Sequence, residues 1–170
     1  PEAIFRGEQV GDAILAFYTK SAGNQLPTSM DQLREGLSMP GRTKKIQVLR
    51  KSAAVDPLSK SGEWRPVHPT DRTMIDFARK VAAYYGGAVP VPSQNNQLMA
   101  RLYTMVPAVA GPINIGLPAE SGSAPCGDDE SAASTGPFIG VGSRNRCASV
   151  VNYYGIDRHD FWVFTPIYRY

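Results

Sequence analysis

Two histidines and two cysteines are the only side chains in this sequence that by type alone suggest a transition-metal site or a thiol nucleophile. His68 and His159 stand far apart, and neither has the HExxH spacing or the neighbouring cysteines that a zinc site requires. His159, within GIDRHDF, falls in a polar turn and reads as a solvated side chain rather than a catalytic base. Gly140, Gly142 and Ser143 in FIGVGSRN resemble the start of a nucleophile elbow or a phosphate loop, but the GxSxG and GxxxxGK[ST] orders are both missing. A strand running into a glycine-rich turn accounts for them. Asp128, Asp129 and Glu130 offer oxygen ligands for a hard cation such as calcium, yet three consecutive acids lack the alternate spacing of a calcium loop. Asp56, followed by Pro57, reads as turn chemistry, because no regular element places a second carboxylate beside it. The expectation is therefore no catalytic residue, no metal and no cofactor. A small periplasmic hydrolase stays open as the enzyme alternative, and it would need a deep pocket joining Ser143 or Asp56 to a histidine.

Cys126 and Cys147 form an even pair with no CxxC and no Cys/His cluster, a pattern that suits one disulfide. Two buried free thiols are the alternative. A disulfide implies an oxidising compartment, a periplasm or the cell exterior.

These residues have to be positioned by one domain. A chain of 170 residues is long enough for a real core and short for two. An apolar fraction of 42% with 19% charged residues is ordinary for a globular protein and indicates neither disorder nor a coiled coil. The net charge of +3 is small, and Arg42, Lys44, Lys45, Arg50 and Lys51 are dispersed without a long run, so nucleic acid is not an expected partner. No apolar run is long enough to span a membrane.

From Glu2 to about Ala22, Ala3, Val10, Ile14 and Phe17 recur at helical spacing, and Gly23 with Asn24 supplies a stop. Gly7 and Gly11 inside this helix suggest close approach or bending. LPTSMDQLREG reads as a second helix capped by Thr28 or Ser29. A short edge strand is expected around Trp64 to Val67, where Pro66 excludes a central position. A third helix runs from Thr70 or Asp71 to Tyr85 and a weaker one from Gln94 to Met105. FIGVGS, CASVVNYY and DFWVFT then read as strands of a C-terminal antiparallel sheet. Helices first and strands later predict an α+β arrangement, with helices covering one face of the sheet.

The phrases EAIFRGEQVGDAILAFY, LPTSMDQLREG, VLRKSAAVDPLSKSGEW, FIGVGS and DFWVF, in that order, resemble the successive landmarks of type IV pilin-like proteins, in particular the pseudopilins of type II secretion and among them the major pseudopilin. The likeness covers residues 2–67 and 138–164. It implies a single pilin-like domain: a spine helix over 1–22, a loop, helix and first strand over 23–67, an insertion over 69–137, and the final sheet over 138–170. It further implies that Val10, Ile14 and Phe17 are core, that Ala3, Ile4 and Phe5 are exposed for subunit contact, and that a membrane-anchoring half of the spine helix precedes Pro1. The function implied is assembly into a pseudopilus or related filament, with other subunits and the secretion machinery as partners, on the periplasmic side of a Gram-negative inner membrane. A minor pilin or adhesin-like module recognising a partner through the 69–137 insertion is the alternative, favoured by any exposed aromatic cluster there.

Overall fold

The computed structural model describes residues 2–21, 23–36, 48–87, 97–106, 127–128 and 136–168. Its elements in chain order are α1 (Glu2–Lys20), α2 (Met30–Glu35), β1 (Arg65–Val67), α3 (Arg72–Tyr84), α4 (Gln97–Met105), β2 (Gly140–Gly142), β3 (Ala148–Tyr153) and β4 (Ile156–Arg158), with 3-10 turns at His159–Phe161 and Pro166–Tyr168. The chain is α+β, with an N-terminal helix and small antiparallel sheets.

The opening helix forms because one stripe of it has somewhere to go. Ala3, Gly7, Val10, Ile14 and Phe17, spaced by three and four, are all buried. That stripe packs against β2 and the final 3-10 turn, while the C-terminal part of the chain closes over it. The approach is tight at Gly7, where an added Cβ would lie 2.5 Å from Phe164 Cε2 and closer still to Cγ and Cδ2. Gly11 faces the backbone of Thr165 at 3.5 Å from such a Cβ, an ordinary contact. The two glycines thus admit close packing, and only the first is sterically compelled.

Ser29 caps α2 by accepting the Gln32 amide, and Gly36 ends it at φ 88°. At the head of α3, Asp71 directs its carboxylate back to the His68 amide at 2.9 Å rather than into the helix. Met74, Phe77, Ala78 and Val81 form the buried face of α3.

The C-terminal region departs from a single sheet. β1 pairs with β2 antiparallel, Pro66 opposite Val141, and β3 pairs separately with β4. DFWVFT, expected as a strand, is a 3-10 turn followed by an extended segment whose contact with β2 is the Val141–Phe164 bridge, hydrogen-bonded in both directions at 3.1 and 2.8 Å. The reason is burial on all sides: Trp162, Val163 and Phe164 are each nearly inaccessible, so this apolar run fills the core instead of showing one face to solvent. Phe164 sits edge-on to Trp64 at 5.7 Å and near Tyr153 at 5.2 Å. Phe77 is a second aromatic centre, against Tyr153, Tyr154 and Tyr168.

Candidate functional site

Two places gather the residues singled out in the sequence. The first is a buried polar cluster between the DPLSKSG turn and the loop after β2. Asp56 is 1% exposed and Ser143 fully buried. The Asp56 turn is closed by its own amide donating to the Gly62 carbonyl at 2.9 Å, and Gly62 adopts φ 70° to make that turn. The carboxylate then accepts three donors: the Leu58 amide at 3.0 Å, the Ser143 hydroxyl at 2.8 Å and the Arg144 amide at 3.3 Å. A buried carboxylate needs such partners, because leaving it without them would cost several kcal/mol, on the order of the penalty for an uncompensated buried charge.

Asn145 extends the cluster. Its amide donates to Ser143 Oγ at 3.1 Å, its Nδ2 to the Leu58 carbonyl at 2.8 Å, and its Oδ1 accepts the Cys147 amide at 2.8 Å. The same Oδ1 lies 3.1 Å from His159 Nδ1. Because Oδ1 is an acceptor throughout, the network assigns the proton to Nδ1 of the imidazole. Burial holds His159 below its ordinary pKa; the Asp56 and Asp160 carboxylates oppose that shift and the N-terminal charge adds to it. His159 also donates its backbone amide to the Cys147 carbonyl at 3.1 Å.

The cluster brings Asp56, Ser143 and a histidine into one network, the combination that hydrolytic chemistry would use, but in the wrong order. Ser143 gives its proton to a carboxylate rather than to an imidazole, and its oxygen is closed off from solvent. The arrangement can clamp loops whose sequence positions differ by 87. His159, expected in solvent, is instead half-buried against Trp162 at 5.0 Å. Asn145 is the residue that sequence reading missed; nothing in RNR announces a bridging amide.

Cys147 is disulfide-bonded. Cys126, the other cysteine of the sequence, lies outside the described residues. Asp128 accepts the Lys60 amide at 2.7 Å and bridges to Asn145, whereas Asp129 and Glu130 lie outside the described residues. Among the described residues no three His, Cys, Asp or Glu side chains converge as a metal site. His68 is held by its Nδ1 at 2.8 Å from the Pro137 carbonyl.

The second place is α1. Val10 and Ile14 are fully buried and Phe17 is 7% exposed. Phe5, by contrast, is 61% exposed and Ile4 half-buried. Ala3, expected at the surface with them, is 7% exposed, because its position is continuous with the Gly7, Val10 and Ile14 stripe. No helix of the described residues is long and apolar enough to cross a membrane. No protein family, curated protein or solved structure matches this chain.

Proposed function

We propose that this chain is a pilin-like structural subunit, of a type II secretion pseudopilus or a related filament, and that it acts by assembly rather than by catalysis. The observation that carries the reading is the division of labour along α1. One face of the helix is sealed onto β2 and the final turn at Gly7, Val10 and Ile14, while Phe5 near its start is 61% exposed. An aromatic side chain of that size held in solvent on a rigid helix is the type of anchor that protein interfaces use. The closed Asp56–Ser143 pair agrees with a structural role for the loops it joins. A disulfide at Cys147 agrees with a periplasmic location.

Phe5→Glu tests the reading. The variant should melt like the parent, since the side chain is exposed, and should fail to assemble in cells. An unchanged melt together with normal filament formation and secretion would remove α1 from the interface. A second reading, a recognition module within the same scaffold, is favoured by Tyr84, which lies in the 69–137 region and is 60% exposed beside Tyr85 and Tyr154.

A further inference from the structure

Residues 127–128 and 145–147 form a short ladder beside the disulfide. Cys147 is disulfide-bonded, and the one other cysteine of the sequence, Cys126, directly precedes Gly127. Asp128 and Asn145 make an antiparallel bridge, and the Arg146 amide donates to the Gly127 carbonyl at 3.1 Å. The Arg146 guanidinium reaches the Gly127 and Asp128 carbonyls at 3.2 and 3.3 Å. On its other side the Asp128 carboxylate accepts the Lys60 amide at 2.7 Å, which ties the ladder to the DPLSKSG turn.

The two halves of this ladder are held unequally. Cys147 is pinned through both groups of its main chain: its amide donates to Asn145 Oδ1 at 2.8 Å and its carbonyl accepts the His159 amide at 3.1 Å. Asn145 is in turn fixed to Ser143 and Leu58, and Ala148, next after Cys147, opens β3 opposite Arg158. Gly127 and Asp128 have no such footing. Both are half-buried, and neither brings an apolar side chain to the core. Among the described residues their hydrogen bonds run to Arg146 and Lys60, both exposed, where water competes for each partner and a single bond contributes little. Gly127 and Arg146 are 19 positions apart, so without a covalent tie these few bonds would have to offset the entropy of closing that loop.

We propose that the disulfide is a redox-operated clasp: oxidised, it holds the 127–128 arm across Arg146 and against Lys60; reduced, the arm detaches while Cys147 and the rest of the fold stay in place. This is independent of the filament reading. Cys147 is half-buried between the exposed Arg146 and Ala148, within reach of a dithiol reductant. One thiolate of the reductant attacks a sulfur of the bond, the displaced cysteine takes up a proton, and the second thiol resolves the mixed disulfide. Two electrons and two protons thus pass to Cys126 and Cys147, and the reductant leaves as its own disulfide. Detachment frees two donors that the closed form keeps occupied, the Lys60 amide and the Arg146 guanidinium, so redox state is written into the chemistry of that surface.

The experiment measures nitrogen-15 relaxation on the 170-residue chain when oxidised, after dithiothreitol, and after reoxidation. The backbone order parameters of Gly127 and Asp128 should fall from about 0.85 to below about 0.6 on reduction and recover on reoxidation, while those of Val141, Asn145 and Cys147 stay near 0.85. Cys126→Ser combined with Cys147→Ser should match the reduced state. Asp128→Ala in the oxidised chain should shift the Lys60 amide resonance as reduction does, yet leave Gly127 ordered, because the bond still holds the arm. An arm that stays ordered after reduction would overturn the proposal, since its hydrogen bonds would then suffice. Loss of order throughout the chain would also overturn it, because the bond would be supporting the whole fold. So would a disulfide that dithiothreitol leaves intact in the native protein, or an Asp128→Ala variant in which Gly127 loosens with the bond in place.

Discussion

Gly7→Ala and Gly11→Ala are the same chemical change one helical turn apart, and they should move stability in opposite directions. Each removes a helix-interior glycine, which by itself favours the folded state by about 0.5–1 kcal/mol. At Gly11 the new methyl meets backbone of Thr165 at 3.5 Å, an ordinary distance, so the gain is realised. At Gly7 the methyl would fall 2.5 Å or less from three carbons of the Phe164 ring. That ring cannot swing aside cheaply, because it is 1% exposed and held by Trp64, Tyr153 and Trp162. Overpacking of this kind costs about 1–3 kcal/mol. With the ring boxed in, the upper part of that range applies, and subtracting the propensity gain leaves a net loss of about 1–2 kcal/mol for Gly7→Ala. For a chain of this size each kcal/mol shifts the melting temperature by about 2–4 °C, so a fall of roughly 2–8 °C is expected, against a rise of about 1–4 °C for Gly11→Ala. Chemical denaturation should give the same signs with unchanged m-values. In a Phe164→Leu background the Gly7→Ala penalty should shrink, a coupling that a double-mutant cycle reads directly. A Gly7→Ala variant melting at or above the parent would refute the claim that α1 and the Phe164 segment are in forced contact.

Three further outcomes are expected. Ile14→Ala and Phe17→Ala should each cost about 2–5 kcal/mol in denaturant titrations, since both side chains are buried in the core. Because burial holds His159 below its ordinary value of 6.5, the folded protein binds that proton less readily than the unfolded chain does. Its contribution is therefore fully present above about pH 6.5 and declines as the pH falls through that value toward the folded pKa, and His159→Gln should flatten the stability profile in that window. Reduction of the disulfide at Cys147 should lower stability by about 3 kcal/mol on the chain-entropy account, read as a drop in melting temperature with reductant.

What could be read in the sequence was what is decided locally. The stripe of α1, the Ser29 cap of α2, the edge position of Pro66 and the apolar face of α3 each depend on neighbours within one or two turns, and each is present. DFWVFT was not decipherable in the same way, because a continuous apolar run is equally consistent with a strand and with a segment buried on every side. The polar cluster was further out of reach. Asp56 looked like turn chemistry, and the Leu58 amide at 3.0 Å shows that part of this reading was sound. Its other partners, Ser143 and Arg144, lie at sequence separations of 87 and 88, and no pattern within the DPLSKSG turn points to them. Ser143 stood out for its glycine neighbours, whereas its role is set by a carboxylate that only the fold brings near.

The chain leaves β1 and comes back to β2 through a single doorway. The Ile139 amide donates to the Val67 carbonyl at 2.9 Å, and His68 Nδ1 lies 2.8 Å from the Pro137 carbonyl. Whatever is strung between residues 69 and 137 therefore begins and ends at one point on the scaffold. Lengthening or shortening it alters the span that has to be closed but not the geometry of its ends, and each doubling of such a span costs only about 0.6 kcal/mol. The exceptions are α3, whose Met74, Phe77 and Val81 are rooted in the core, and α4, whose Leu102 is fully buried. The scaffold thus has a port at which the rest of this segment can change length while α1, β1, β2 and the Phe164 segment stay as they are.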